Sequence, residues 1–176
     1  MAFFKKKILA HELGSVIYAH IRYEVMSQDS PLFHGKLLGD LEEKADDLST
    51  AYILELLLGS MFGALLSIEK KYQYPKAGLI IDSLRDAFLS HAHPIIENLG
   101  LTDEQMKSLI LQRFQEYYEC LNNKSGAGFV WHLGKAYYWN ILGHKKEEPK
   151  GPMLSGLYLL KFSEFTENIL QNYKVL

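Results

Sequence analysis

Apolar residues recur at three- and four-residue intervals along most of this chain, the spacing of one face of an α-helix. Between Lys5 and Met26 the positions Leu9, Leu13, Val16, Ile17 and His20 follow that spacing, with Lys7, His11 and Arg22 on the other side. A second pattern runs from Asp40 to about Tyr72. Within it, residues 51–68 carry one charge, Glu55. A helix apolar on every side must be buried on every side. This segment, about 41–72, is therefore expected to be the central helix of the fold. Asp40 suits its N-cap, with Glu43 as an acidic variant of the capping box.

Pro75 separates this helix from a third, expected over Lys76 to Leu99 with Ala77, Ile81, Leu84, Phe88, Ala92, Ile95 and Leu99 inward. Pro94 removes a backbone donor and predicts a kink or break at Ser90–His93. Gly100 is the expected stop. A fourth helix has the clearest start: Thr102 caps it and Gln105 completes the box. Its inward positions are Met106, Ile110, Phe114, Tyr117 and Leu121. After a loop from Asn122 to Gly128, a fifth helix covers Phe129 to Leu142 and ends at Gly143. A sixth covers about Leu154 to Tyr173, with Leu157, Leu160, Phe165 and Ile169 as core positions. No segment alternates long enough to read as a strand, and no long-period repeat is present. The fold expected is all-α, a single-domain bundle of about six helices over residues 1–176.

A helix as apolar as 51–68 also raises the question of a membrane span. Its length is at the lower limit for crossing a bilayer, and Glu55 would be costly there. A buried helix in a water-soluble bundle is the better reading. Gly59 and Gly63, four residues apart, then mark a place where another helix approaches closely.

Composition changes this picture little. Apolar residues make up 48% and charged residues 23%, ordinary values for a globular chain. The single Cys120 cannot form an intramolecular disulfide, so a reducing, cytoplasmic compartment is expected. No secretory signal is recognisable. The formal net charge of -2 gives no general attraction to phosphate backbones, so no nucleic-acid partner is expected. The start Phe3-Phe4-Lys5-Lys6-Lys7 has the composition of a membrane-surface contact. A solvated basic terminus explains it equally, and such contact is not expected.

Three constellations carry candidate chemistry. His20 and Glu24, four residues apart, continue the apolar stripe of the first helix, and Glu55 lies in the most apolar segment. A buried carboxylate must be paired, hydrogen-bonded or protonated. If the first two helices are neighbours, His20 can satisfy Glu55, and the three residues become ligand or metal candidates. The plainer reading is a polar core contact. His91 and His93 form a second candidate, near Asp82 and Asp86, but two residues apart they converge only if the proline break reshapes the backbone. Third, the aromatic residues of the fifth helix include Trp131, Tyr137 and Trp139. They fill a core or, with Tyr137 on the more exposed side, a partner surface.

Other motifs fail. No Glu has a His three places later, which argues against a ferritin-like di-iron site. His11-Glu12 lacks the second His of the zinc-protease motif, since position 15 is Ser. Gly126-Ala-Gly128 has no preceding strand and no following Lys-Ser/Thr. Glu119 beside Cys120 weakens that thiol as a nucleophile. No cofactor is expected. The leading expectation is a small cytoplasmic helical protein, bacterial in style, that binds another protein or itself without catalysis. The rival is a helical ligand- or metal-binding protein or enzyme with a pocket near His20, Glu24 and Glu55.

Overall fold

A helix with so few polar positions needs neighbours all round, and the chain supplies them. The computed structural model describes residues 5–30, 32, 37, 50–122 and 128–176. In chain order its elements are β1 (Lys6–Ile8), α1 (Ala10–Met26), α2 (Thr50–Lys71), α3 (Lys76–His91), α4 (His93–Asn98), α5 (Asp103–Asn122), α6 (Phe129–Leu142), α7 (Lys150–Gln171) and β2 (Tyr173–Val175). Every residue from Leu54 to Leu65 is buried. Helix α2 touches α1, α3, α5, α6 and α7, so the fold is an all-α bundle around a buried central helix. Helix α2 is also the one described helix long and apolar enough to cross a membrane, and 83% of its most apolar window lies buried in the bundle. The expected cap at Asp40 and Glu43 lies outside the described residues.

Close crossings hold the other helices in place. Gly14 of α1 lies against the α3 backbone at Ile80 and Leu84, where a Cβ would collide. Helices α1 and α3 run side by side with their N-termini at the same end: Ser83 Oγ donates to the His11 carbonyl, and further along the Tyr18 ring meets Phe88 and His91. Gly134 of α6 and Gly156 of α7 meet face to face in the same way. Helix α7 also lies along α2, where Ser67 Oγ donates to the Ser163 carbonyl at 2.7 Å.

Several expectations are corrected. The first helix begins at Ala10, not Lys5, because Lys6–Ile8 pairs in parallel with Tyr173–Val175. Strands of three residues are too short to show alternation, which is why the chain reads as strandless. The buried face of α1 is Leu13, Gly14, Ile17, Tyr18, Ile21 and Val25. Leu9 is 42% exposed and His20 is also exposed. The face turned inward centres on the close crossing at Gly14, a residue that a search for large apolar side chains passes over. The expected break near Pro94 is present: α3 stops at His91, Ala92 joins the two segments, and α4 starts at His93. This break makes seven described helices rather than six. In this region Ile80 and Ile96 are fully buried, and Ile81, Ile95 and Leu99 only partly.

Helix α5 starts as expected, with Gln105 N donating to Thr102 Oγ1 at 3.2 Å and Thr102 N donating to Gln105 Oε1 at 2.7 Å. Gly143 ends α6 with φ 70°, a left-handed conformation that favours glycine. Helix α7 begins at Lys150, four residues earlier than expected. Glu148 accepts the Gly151 and Lys150 amides at 3.0 and 3.1 Å, and Pro152 fits a first turn. Its buried face is Tyr158, Leu159, Phe162, Ile169 and Leu170; Leu157 is exposed, and Leu160 and Phe165 are half-buried. The Gly134–Gly156 crossing again sets which face turns in.

Candidate functional site

The carboxylate of Glu55 does have a partner, and it is Arg113 rather than His20. Glu55 lies in the first third of α2 at 6% exposure. From α5, Arg113 Nε donates to its two oxygens at 2.9 and 3.0 Å, and Nη2 donates to Oε1 at 2.6 Å. This bidentate pairing suits the planar guanidinium. Glu116, one turn on from Arg113, lies 3.7 Å from Nη1. Asn140 of α6 donates to Glu116 Oε2 at 2.9 Å and to the Tyr117 hydroxyl at 3.3 Å. Burial pushes the Glu55 carboxyl above the usual carboxylate range, and the Arg113 hydrogen bonds oppose that push. A chain of polar groups thus ties α2, α5 and α6 together inside the bundle.

His20 and Glu24 are placed elsewhere. His20 is exposed, with its ring edge-on to Phe165 at 6.3 Å. Glu24 accepts a hydrogen bond from Ser30 Oγ. The structure therefore does not gather His20, Glu24 and Glu55 into one pocket. His91 and His93 also part company. His91 Nδ1 donates to the Ala87 carbonyl at 2.8 Å, while His93 Nε2 lies 3.4 Å from Glu97 Oε1. Among the described residues, no three His, Cys, Asp or Glu side chains are placed to hold a metal ion.

The aromatic candidates also separate. Tyr137 is fully buried, a correction to its expected exposure. Its ring takes the space left by the missing side chain of Gly59, and its hydroxyl donates to the Leu56 carbonyl at 3.4 Å. Trp131 is half-buried. Trp139 is half-buried as well: its indole donates to the Lys146 carbonyl at 3.0 Å, and the Lys135 and Lys145 ammonium groups lie 4.5 and 5.2 Å from its ring centre. The surface hollow beside it, about 410 Å³, is lined by Glu116, Glu119, Cys120, His132 and Lys135. Burial, then Glu116 and Glu119, push the Cys120 thiol up, so it is a poor thiolate.

A concavity lies between α1 and α3. It is an open groove of about 530 Å³ whose walls include Tyr18, Arg22, Tyr23 and Met26 on one side and Ser90 and His91 on the other. Tyr23 is 60% exposed and Met26 is 45% exposed. Tyr18 forms the floor, 5.9 Å from Phe88 and 5.6 Å from His91 between ring centres. Arg22 makes no ion pair among the described residues. A second hollow, lined by His11, Leu79, Asp82 and Asp86, shares Ser15, Ala87 and Ser90 with it and extends it along the same helix pair.

Sequence reasoning missed this groove because Tyr18, Tyr23 and Met26 stood off the stripe chosen for the first helix. Their signal was the combination of an off-stripe aromatic pair with Arg22. No family model, no curated protein and no solved structure matches this chain.

Proposed function

We propose that this chain is a non-catalytic cytoplasmic protein-interaction module whose partner docks in the groove between α1 and α3. One observation carries the reading: Tyr23 and Met26 stand exposed beside Arg22, which has no ion pair among the described residues. Exposed aromatic, Met and Arg side chains in a concavity are the composition of interface anchors. A partner segment with apolar side chains over Tyr18 and Met26 and a carboxylate toward Arg22 complements it. The lone, half-buried Cys120 agrees with a reducing compartment. No specific observation favours the rival ligand or metal pocket, since the Glu55 carboxylate is taken up by Arg113.

Replacing Tyr23 with a photo-crosslinking phenylalanine analogue in cells of the native host tests this. The expected result is one dominant adduct of defined mass, either with another protein or with a second copy of this chain. The same analogue at Leu111, 68% exposed on α5, serves as the control and should give none. Arg22→Glu and Met26→Ser should weaken the adduct while leaving the melting temperature unchanged. A monomer in solution with no adduct from position 23 contradicts the proposal.

A further inference from the structure

We propose that the end of the bundle carrying the β1–β2 clasp docks on the surface of an anionic lipid bilayer. This goes beyond the groove, whose floor residue Tyr18 lies about 12 Å along α1 from Ala10 and whose exposed Met26 lies about 24 Å along it, by the helical rise.

The clasp places like charges next to each other. Its parallel register sets Lys7 opposite Lys174 and Ile8 opposite Val175. Ile8, Tyr173 and Val175 pack against the core. Successive side chains alternate across a strand, so Lys5, Lys7 and Lys174 point away from it. Like charges directly across a ladder are unfavourable, and none of Lys5, Lys6, Lys7 and Lys174 has an ion pair among the described residues. Two more lysines come to the same end. Lys71 Nζ donates to the Leu170 carbonyl at 2.5 Å, and Lys76 Nζ donates to the Val175 carbonyl at 3.3 Å. Burial and the nearby charge of Lys5 hold the Lys71 ammonium below the usual lysine range. Of the acids on adjoining helices, Glu167 pairs with Lys70 and Asp82 with Arg85, while Glu12 accepts the Leu9 amide and keeps its charge.

Apolar side chains are interleaved with this charge. Leu176 N donates to the Ile8 carbonyl, which continues the register and sets Leu176 beside Leu9 on the outward side. Leu9 is 42%, Leu176 58% and Tyr74 89% exposed. Tyr74 directly precedes the first turn of α3, from which Lys76 reaches β2. Exposed leucines contribute nothing to a phosphodiester backbone, whereas they insert below lipid headgroups while lysines reach the anionic layer above them. That pairing of groups favours a bilayer over a nucleic acid. The overall charge of -2 means that attraction must be local to this end.

Co-sedimentation of the full-length chain with vesicles tests the proposal. The chain should sediment with phosphatidylcholine–phosphatidylserine vesicles, stay in solution with phosphatidylcholine alone, and dissociate as salt rises. Replacing two surface lysines, Lys7→Ala with Lys174→Ala, should weaken binding about thirtyfold. Tyr74→Ser with Leu176→Ser should weaken it too while keeping the salt dependence. Circular dichroism of both pairs should match the parent. Groove variants Tyr23→Ser and Met26→Ser should bind vesicles normally, which separates this surface from the docking groove. Absence of binding to the mixed vesicles, equal binding to phosphatidylcholine alone, or indifference to the lysine pair would overturn the proposal. So would tighter binding to duplex DNA than to the mixed vesicles.

Discussion

At the scale of single residues, the ion pair inside the bundle is the most consequential contact. Removing one partner of a buried pair leaves the other charged and unsolvated. Arg113→Ala should therefore cost about 3 kcal/mol, the low end of the roughly 3–5 kcal/mol usual for breaking a buried pair, because Arg113 retains some solvent contact. Urea unfolding measures it, and Glu55→Gln in the same background should recover part of the loss. That Glu55 needs a partner was legible in the sequence. Which residue answers it was not, since Arg113 lies 58 positions away on another helix. Tyr137 teaches the same lesson from the other side: nothing in the pattern of α6 shows that Gly59 leaves room for its ring. Tyr18 gives a pH dependence. Burial pushes its hydroxyl from 10.0 up to about 12. An acid whose folded pKa is raised ionises first in the unfolded chain. Its share of stability is full below pH 10 and lost as the pH climbs toward about 12. Denaturation midpoints across that window should fall less steeply for Tyr18→Phe.

Single elements were the most legible level, because their ends are set by local chemistry. The Thr102–Gln105 box starts α5 through hydrogen bonds within four residues, and a short-range signal of that kind is complete in the sequence. Thr102→Ala should cost about 1 kcal/mol; thermal melting checks it, and no change would mean that α5 is held by its packing alone. Gly143 and the break around Pro94 were legible for the same reason. Which face of a helix turns inward proved harder to read. In α1 and α7 that face centres on glycines, Gly14 and Gly156, and a stripe of large apolar residues does not mark it. Gly63 supplies a test. A Cβ there would lie 2.7 Å from the Leu159 carbonyl oxygen of α7. Gly63→Leu should destabilise by ~1–3 kcal/mol through overpacking, and unchanged stability in urea would show that α2 and α7 can separate without loss.

At the scale of the whole molecule, the two ends of the described chain meet in the β1–β2 clasp, which joins residues more than 160 positions apart. Deleting residues 173–176 removes the half-buried Tyr173 and Val175 and uncovers Ile8. A loss of ~2 kcal/mol is expected from two partly buried apolar side chains, measured as a lower urea midpoint with helix content retained. The all-helical class and the central position of α2 were legible in the sequence alone, because the spacing of apolar residues marks helices and the near-continuous run at 51–68, barely long enough for a bilayer and burdened there by Glu55, needs neighbours on every side. Tertiary structure decided the rest: the partner of Glu55, the burial of Tyr137, the groove walled by Tyr23 and Met26, and the lysines gathered at the clasp. Each depends on residues distant in the chain being brought within a few ångströms. Such proximity comes from how separate elements pack against one another, and it leaves no periodic trace along a single segment.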